Sequence, residues 1–524
     1  MSQVINITLN FDQSLEQHLE QNYPEVVDFR ILSKSMDARG SNRGRTPVVI
    51  YKIETIENEE KFTDLDMILP EVGAFKQRPI IVGAGPAGLF CALALADSGV
   101  PCILLERGPR ASERMKKIAK FWRYGILDPE ANVCYGEGGA GLFSDGKLIT
   151  RIKDKHVQYV MNKLVEFGAP KEVAYESNPH LGSNKIRSLI TSLSNYLITR
   201  GVEMRFNTQV KKIHYIQSDS TQEKIITGVE ISGGEILASN NVVLATGHSA
   251  KDIYSNLAAI KVAMKPKDFA IGVRIEHPRR LIDFLQFGGF CQNPKMQAAR
   301  YRLSFENKQT RRGTYSFCMC PGGHVLSSGT EADGLVVNGM SNYARNSPWS
   351  NSALVVAVKA GVDFSSEQIM AGIDFQTQIE QKAYTYSKEH ATGREIPAQT
   401  VHNFLHRDTL DSKLPKSSCP SGLVAANLSQ ILPPFVTDHL RAALLEFNQE
   451  VKGFAGREGL LLAPETRTSA ALTVLRDKST FESISHAGLY PCGEGAGHAG
   501  GITSSAVDGI RVARSLIAKE KGIS

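Results

Sequence analysis

The chain has no run of 18 or more apolar residues, so no membrane-spanning helix is expected. Its opening stretch, MSQVINITLNFDQSLEQ, lacks a basic region followed by an apolar core, so it does not read as a secretory signal. Cysteine is scarce: eight in 524 residues, at positions 91, 102, 134, 291, 318, 320, 419 and 492. None makes a C-x-x-C pair, so no metal site is expected, and sparse free thiols suit a reducing compartment. A soluble, cytoplasmic protein is the expectation. No low-complexity tract or long-range repeat is present, which excludes solenoids. Nor does one sign of charge dominate. Sixty Lys and Arg face 54 Asp and Glu, a net +6. That excess is mild for this length and forms no arginine-rich stripe, so nucleic acid is not an expected partner.

What is present is a globular composition, 42% hydrophobic and 22% charged, on a chain long enough for roughly two to four domains. Residues 78–88 read RPIIVGAGPAG. A short apolar run enters Gly83-Ala84-Gly85-Pro86-Ala87-Gly88, and an alanine-rich segment follows. The spacing predicts strand, tight turn and helix. Gly83 permits the turn, Gly85 lets a pyrophosphate approach the backbone, and Gly88 lets the helix sit close on the strand. Free N–H groups at the helix start favour an anion. A second apolar strand, 101–105, ends in Glu106, 23 residues beyond Gly83, where an acid accepts from a ribose diol.

Later segments decide which dinucleotide is held. Ala245-Thr246-Gly247 follows a hydrophobic strand and resembles the ATG element of flavoproteins. Residues 489–509, LYPCGEGAGHAGGITSSAVDG, resemble their second FAD fingerprint. Gly493-Glu494 take the usual Gly-Asp place at the ribityl chain. Gly500, Gly501 and Ile502 start a helix whose positive end faces the flavin pyrimidine. A second glycine-rich loop, 136–147 (GEGGAGLFSDGK), is expected to pack Gly138, Gly139 and Ala140 on the flavin and pyrophosphate. Val210, opening a predicted strand, completes the expected cofactor set. No second strand–GxGxxG–helix unit is visible, so NAD(P)H is expected only as a transient visitor.

With EGGAGLFSDGKL, ATGHSAKD, AIGVRIEHP, SFCMCPGGHV and LAPETRTSAALTVLRD, the chain resembles a bacterial and plastid family of uncharacterised NAD(P)/FAD-dependent oxidoreductases along nearly its whole length. The resemblance implies the fold and FAD but no settled substrate. More distantly, the layout is similar to flavoprotein reductases of the fumarate reductase and glutathione reductase superfamilies, which often carry a Gly-Gly pair soon after the ribose acid. ERGPRASERM stands here instead, so Arg107 is expected to share the phosphate contact.

The expected architecture is α/β: a Rossmann-like FAD-binding domain of flavoprotein-reductase type, an inserted α+β substrate or cap domain, and a small N-terminal α+β domain. The boundaries are 1–75, 76–264, 265–480 and 481–524, the last returning to the FAD-binding domain. Within 1–75, the basic loop 39–45 (RGSNRGR) reads as solvated and flexible. Catalytic candidates are Ser144 and Lys147 near the flavin N5 or O4, and His248 and His498 as general acids, with His277 and His324 weaker. Arg467 and Arg476 suit a substrate carboxylate, an anionic flavin or an interdomain salt bridge. Cys318 and Cys320 share one face of a regular strand, where a disulfide between them is strained, so they read as two buried small hydrophobes.

The expected function is hydride transfer between a small-molecule substrate and flavin N5, with an electron-transfer partner as a further route. The alternatives are a flavin-dependent tRNA-modifying enzyme, its basic loop on phosphates, and a non-enzymatic flavin redox sensor.

Overall fold

The computed structural model describes residues 3–56, 62, 71–220, 222–406, 410–411 and 413–522. The expected boundary near 75 thus borders a stretch mostly outside the described residues. At the centre is a five-stranded parallel sheet. Its order is Leu489–Pro491, Val242–Leu244, Ile80–Val82, Ile103–Leu105 and Glu203–Arg205. The first four are fully buried three-residue apolar strands. Continuous apolar runs of this kind belong to parallel sheets covered on both faces.

One cover is the helix Pro86–Asp97, buried at every position from Ala87 to Ala96. It lies between the sheet and the C-terminal helix Ile502–Lys521. These two helices touch backbone to backbone, because a Cβ on Gly509 would come within 2.1 Å of the Ala87 carbonyl oxygen. Three helices that the sequence reading left unassigned, Ala111–Tyr124, His156–Glu166 and Gly182–Thr199, complete the layer. A separate antiparallel meander, Val210–Gln217, Lys224–Ile231 and Ile236–Ala238, follows the edge strand.

Residues 269–465 carry a seven-stranded sheet. Its order is Ser304–Asn307, Arg312–Cys320, Trp349–Val358, Phe269–Pro278, Leu460–Glu465, Ile396–Thr400 and Leu423–Ala425. All neighbours are antiparallel except the last pair. The helix Pro434–Glu450 packs across several of these strands.

The N-terminal module is an antiparallel sheet with Val48–Ile56 between Gln3–Asn10 and Asp28–Asp37, plus the helix Leu15–Asn22, whose first turn Ser14 caps. Its edge strand is docked. The Lys34 amide donates to Tyr175 O and Lys34 O accepts from the Ser177 amide, both at 2.9 Å. The basic loop is solvated at Arg39, Arg43 and Arg45, which are exposed, as expected, but its middle is packed. Ser41 is buried, Asn42 Nδ2 donates to Leu285 O at 3.2 Å, and Gly288 packs on Asn42. The loop is therefore a contact with the inserted domain. Among the described residues no helix is long and apolar enough to cross a membrane.

Gly509→Ala should cost about 1–3 kcal/mol through overpacking of the two helices. A denaturant midpoint equal to the parent's would show that they part easily.

Candidate functional site

The site grows from the first turn. Gly83 has φ +108°, and its amide donates to Leu105 O at 2.7 Å. A Cβ there would meet Ala245 O at 2.4 Å, and one on Gly88 would meet Gly83 O at 1.9 Å. Both glycines are therefore demanded by packing. Gly85 differs: the nearest atom to a Cβ placed on it is Gly139 Cα, at 4.0 Å. Gly85 caps the helix Pro86–Asp97 with no side-chain bond. The opening N–H groups of that helix therefore face a space shaped for a backbone-bound anion.

Glu106 is 5% exposed. Its Oε2 accepts from Ala84 N at 2.8 Å, and its Oε1 accepts from Gly108 N and Gly136 N at 2.9 Å. The acid thus fastens three loops together and keeps lone-pair capacity for a ribose hydroxyl. The second glycine loop lies on the first, with the Gly138 amide donating to Ala84 O at 2.8 Å. A Cβ on Gly139 would come within 3.1 Å of Gly85 Cα.

This loop has an anchor that the sequence reading missed. Arg114 is fully buried and donates to five backbone carbonyls, those of Asn132, Val133, Gly136, Glu137 and Gly139. Burial lowers its guanidinium to about 10. Nothing local marks it, since its partners lie 18 to 25 residues away.

The other end of the chain closes the site. Gly493 has φ +75°, and its amide donates to Asp508 Oδ2 at 2.8 Å. Arg476 holds that carboxylate from the other side at 2.6 and 3.0 Å. A Cβ on Gly495 would meet Gly247 O at 2.4 Å, which seats this turn on the ATG element. A Cβ on Gly141 would lie 3.3 Å from Ile502 and 3.9 Å from Pro86, so the two helix starts and the second loop converge. Gly500 and Gly501 are exposed, with nothing near a Cβ on Gly500. The residues therefore fit an extended dinucleotide: amide-rich, side-chain-free turns open two helices that converge on the second glycine loop.

Residues 78–127 match a family model described as "FAD binding domain", and residues 268–468 match "FAD-dependent protein, C-terminal domain-like". An "Uncharacterized protein" of Clostridium beijerinckii is 38% identical over 538 aligned residues, covering 98% of each chain. This chain belongs to that FAD-dependent family. It carries an FAD-binding domain, and FAD is its cofactor. Among solved structures, CtdE in complex with FAD is similar over 86% of this chain and 87% of that one, at 14% identity and TM-score 0.33. The E. coli quinol fumarate reductase FrdA is similar over 86% and 71%, at 11% identity and TM-score 0.39.

The candidate side chains of this FAD-dependent protein separate into two groups. Glu494 and His248 meet, Oε1 to Nε2, at 3.8 Å, half-buried beside the Gly493 turn. Burial pushes the Glu494 carboxyl up to about 7, opposed by Lys267. Burial holds His248 down at about 4, and Arg467 adds to the effect. Lys147 reaches the seam between domains, donating from Nζ to Met319 O.

The rest are engaged elsewhere. Arg107 is bidentate on Glu130 at 2.6 and 3.1 Å and bonds Asp252 at 3.0 Å, so its expected phosphate contact is corrected: two carboxylates already neutralise it. Arg467 binds Glu380 at 2.7 and 3.0 Å, Thr330 at 2.6 Å, and Glu331. Lys251, from beyond the ATG element, joins Glu331 and Glu380 at 3.5 Å. Arg467 is in salt bridges, but with acids of its own inserted domain; Lys251 is the residue that reaches them across domains, and a substrate carboxylate at Arg467 would have to displace two acids. Ser144 spends its hydroxyl inside its own turn, on Gly141 O at 2.8 Å and Gly146 N at 3.0 Å. His498 Nε2 donates to Val474 O at 2.9 Å and His277 Nε2 to Phe454 O at 2.8 Å, which makes both structural. Val210 is buried in the core, so it offers a cofactor only main-chain atoms.

The Cys318–Cys320 expectation also changes. The strand is bulged between Phe317 and Cys320, and Cys318 has φ +44°. The alternation therefore breaks, leaving Cys318 exposed and Cys320 buried. Cys492 is buried, as expected.

The two titrations above have opposite signs. Folded Glu494 keeps a proton that a carboxyl of ordinary value 4.5 has released, so stability falls as pH rises from 4.5 to 7. Folded His248 refuses a proton below its ordinary 6.5, so stability rises with pH from 4 to 6.5. Glu494→Gln should leave the His248 slope unopposed. Its denaturation midpoint should climb more steeply than the parent's between pH 4.5 and 6.5, by at most about 1.4 kcal/mol per pH unit. Parallel profiles would remove the opposition.

Proposed function

We propose that this FAD-dependent protein is an oxidoreductase that passes a hydride between a small-molecule substrate, or a transiently docked nicotinamide, and flavin N5. One observation carries the reading. Glycine turns from distant parts of the chain converge on the second glycine loop, where Gly139 lies against Gly85 and Gly141 against Pro86 and Ile502, the first residues of the two helices, close to the inserted domain.

The chain's own residues divide the work. The N–H groups at the start of Pro86–Asp97 hold the pyrophosphate, and Glu106 takes a ribose hydroxyl with the capacity it keeps. Arg114 keeps the second loop pressed on that turn. The positive end of Ile502–Lys521 favours negative charge at the pyrimidine end of the ring. His248, held neutral, and Glu494 with its raised carboxyl are the pair best placed to take or give a proton at the ribityl side. Bound FAD supplies two-electron chemistry at N5. An electron-transfer partner is a second possible destination for those electrons.

Anaerobic addition of NADH, NADPH and a panel of small organic acids and amines to the flavin-loaded protein should bleach the absorbance near 450 nm (approximate, a property of flavin itself) with at least one donor. Persistent yellow colour with every donor, while dithionite still bleaches it, would defeat the proposal.

A further inference from the structure

The bulge that displaces Cys318 is also where the inserted sheet meets the FAD-binding domain. Lys147, the last residue of the second glycine loop, donates from Nζ to the carbonyl of Met319, between the two cysteines. Arg274 approaches from Phe269–Pro278, two strands away in the same sheet. It is fully buried and bidentate on Glu465 at 2.9 and 3.1 Å. It still sends Nη1 to Cys318 O at 3.1 Å and to Cys320 Sγ at 3.9 Å. Cys320 Sγ lies 3.3 Å from Cys318 O, so its side chain bends back along its own segment.

Cys318 is the one exposed residue among the eight cysteines, although its sulfur is desolvated by its surroundings. Two cations thus converge on a Cys-Met-Cys segment with one exposed and one buried cysteine residue. A regular strand fixes alternate Cα atoms about 6.6 Å apart, near the outer limit for a disulfide. At this bulge the pleat no longer imposes that spacing. No role derived above uses either thiol.

We propose that Cys318 and Cys320 form a redox-active dithiol, with an organic disulfide as the substrate class. The Cys318 thiolate attacks one sulfur of the substrate. The substrate S–S bond breaks, one thiolate leaves and takes a proton, and a mixed disulfide remains on Cys318. The Cys320 thiolate then attacks Cys318 Sγ, displaces the second substrate thiol, and closes an internal disulfide. Two electrons have passed from the protein dithiol to the substrate. Lys147 and Arg274 act toward the Cys318 thiolate but do not outweigh desolvation, which leaves the thiol raised to about 11, so attack takes place through a minor thiolate fraction. Return to the dithiol takes two electrons and two protons, the electrons from reduced flavin. That half rests on the function proposed above, and the forward half does not.

The test uses the full FAD-loaded chain. Trypsin releases residues 313–345, which contain these two cysteines and no other. After incubation with glutathione disulfide and alkylation, this peptide should lose both alkylatable thiols and weigh two hydrogens less than the dithiol form. Cys320→Ser should trap glutathione on Cys318, and Cys318→Ser should leave Cys320 unmodified. Anaerobic NADPH or dithionite should then restore both thiols in the parent. Thiols that stay alkylatable in excess glutathione disulfide would overturn the proposal, as would glutathione captured by Cys320 alone. A reduced flavin beside a persisting disulfide would overturn the return half. Protein that forms the disulfide but accepts electrons from no donor would instead count against the proposed function.

Discussion

The whole site depends on one steric constraint: the C-terminal helix must lie backbone to backbone on the helix that follows the first glycine turn. Gly509 permits that contact against Ala87, and Leu489–Pro491 pairs with Val242–Leu244 at the same sheet. Any side chain at Gly509 pushes Ile502–Lys521 outward, and with it the Gly500-Gly501 helix start. The Arg476–Asp508–Gly493 chain of bonds fixes the same turn from below. One close contact therefore sets the distance between the two ends of the dinucleotide site.

Charge performs a different task at the seams. Asp145, from the second glycine loop, is buried with Arg345 and Ser341 of the inserted span. Arg467, Glu380, Glu331 and Lys251 join the inserted domain to the segment after the ATG element. Buried pairs of this kind contribute little net stability, because desolvation offsets attraction. They are costly to break one partner at a time, which suits them to holding two domains in one register over a cofactor.

The elements that align on local rules were legible. Both FAD-type glycine turns open helices, as their spacing implies. What was illegible involved distant partners. Arg114 looks like any surface arginine of an amphipathic helix until five carbonyls from 132–139 close around it. Arg107 stands where a phosphate contact was reasonable, yet Glu130 and Asp252 reach it first. A bulge placed Cys318 on a face that strict alternation denied it.

The sequence by itself determined the chemistry of the cradle. A glycine that must avoid a Cβ, and a helix start with free amides, are properties of a few consecutive residues. The spacing between Gly83 and Glu106 follows from the length of one strand–helix–strand unit. Tertiary structure decided which charged side chains remain available to a ligand. A guanidinium or carboxylate is free only if no opposite charge is packed against it, and that depends on residues tens to hundreds of positions away. For this protein that competition withdrew Arg107, Arg467 and His498 from the site, left Glu494 and His248 beside it, and exposed Cys318 at the seam.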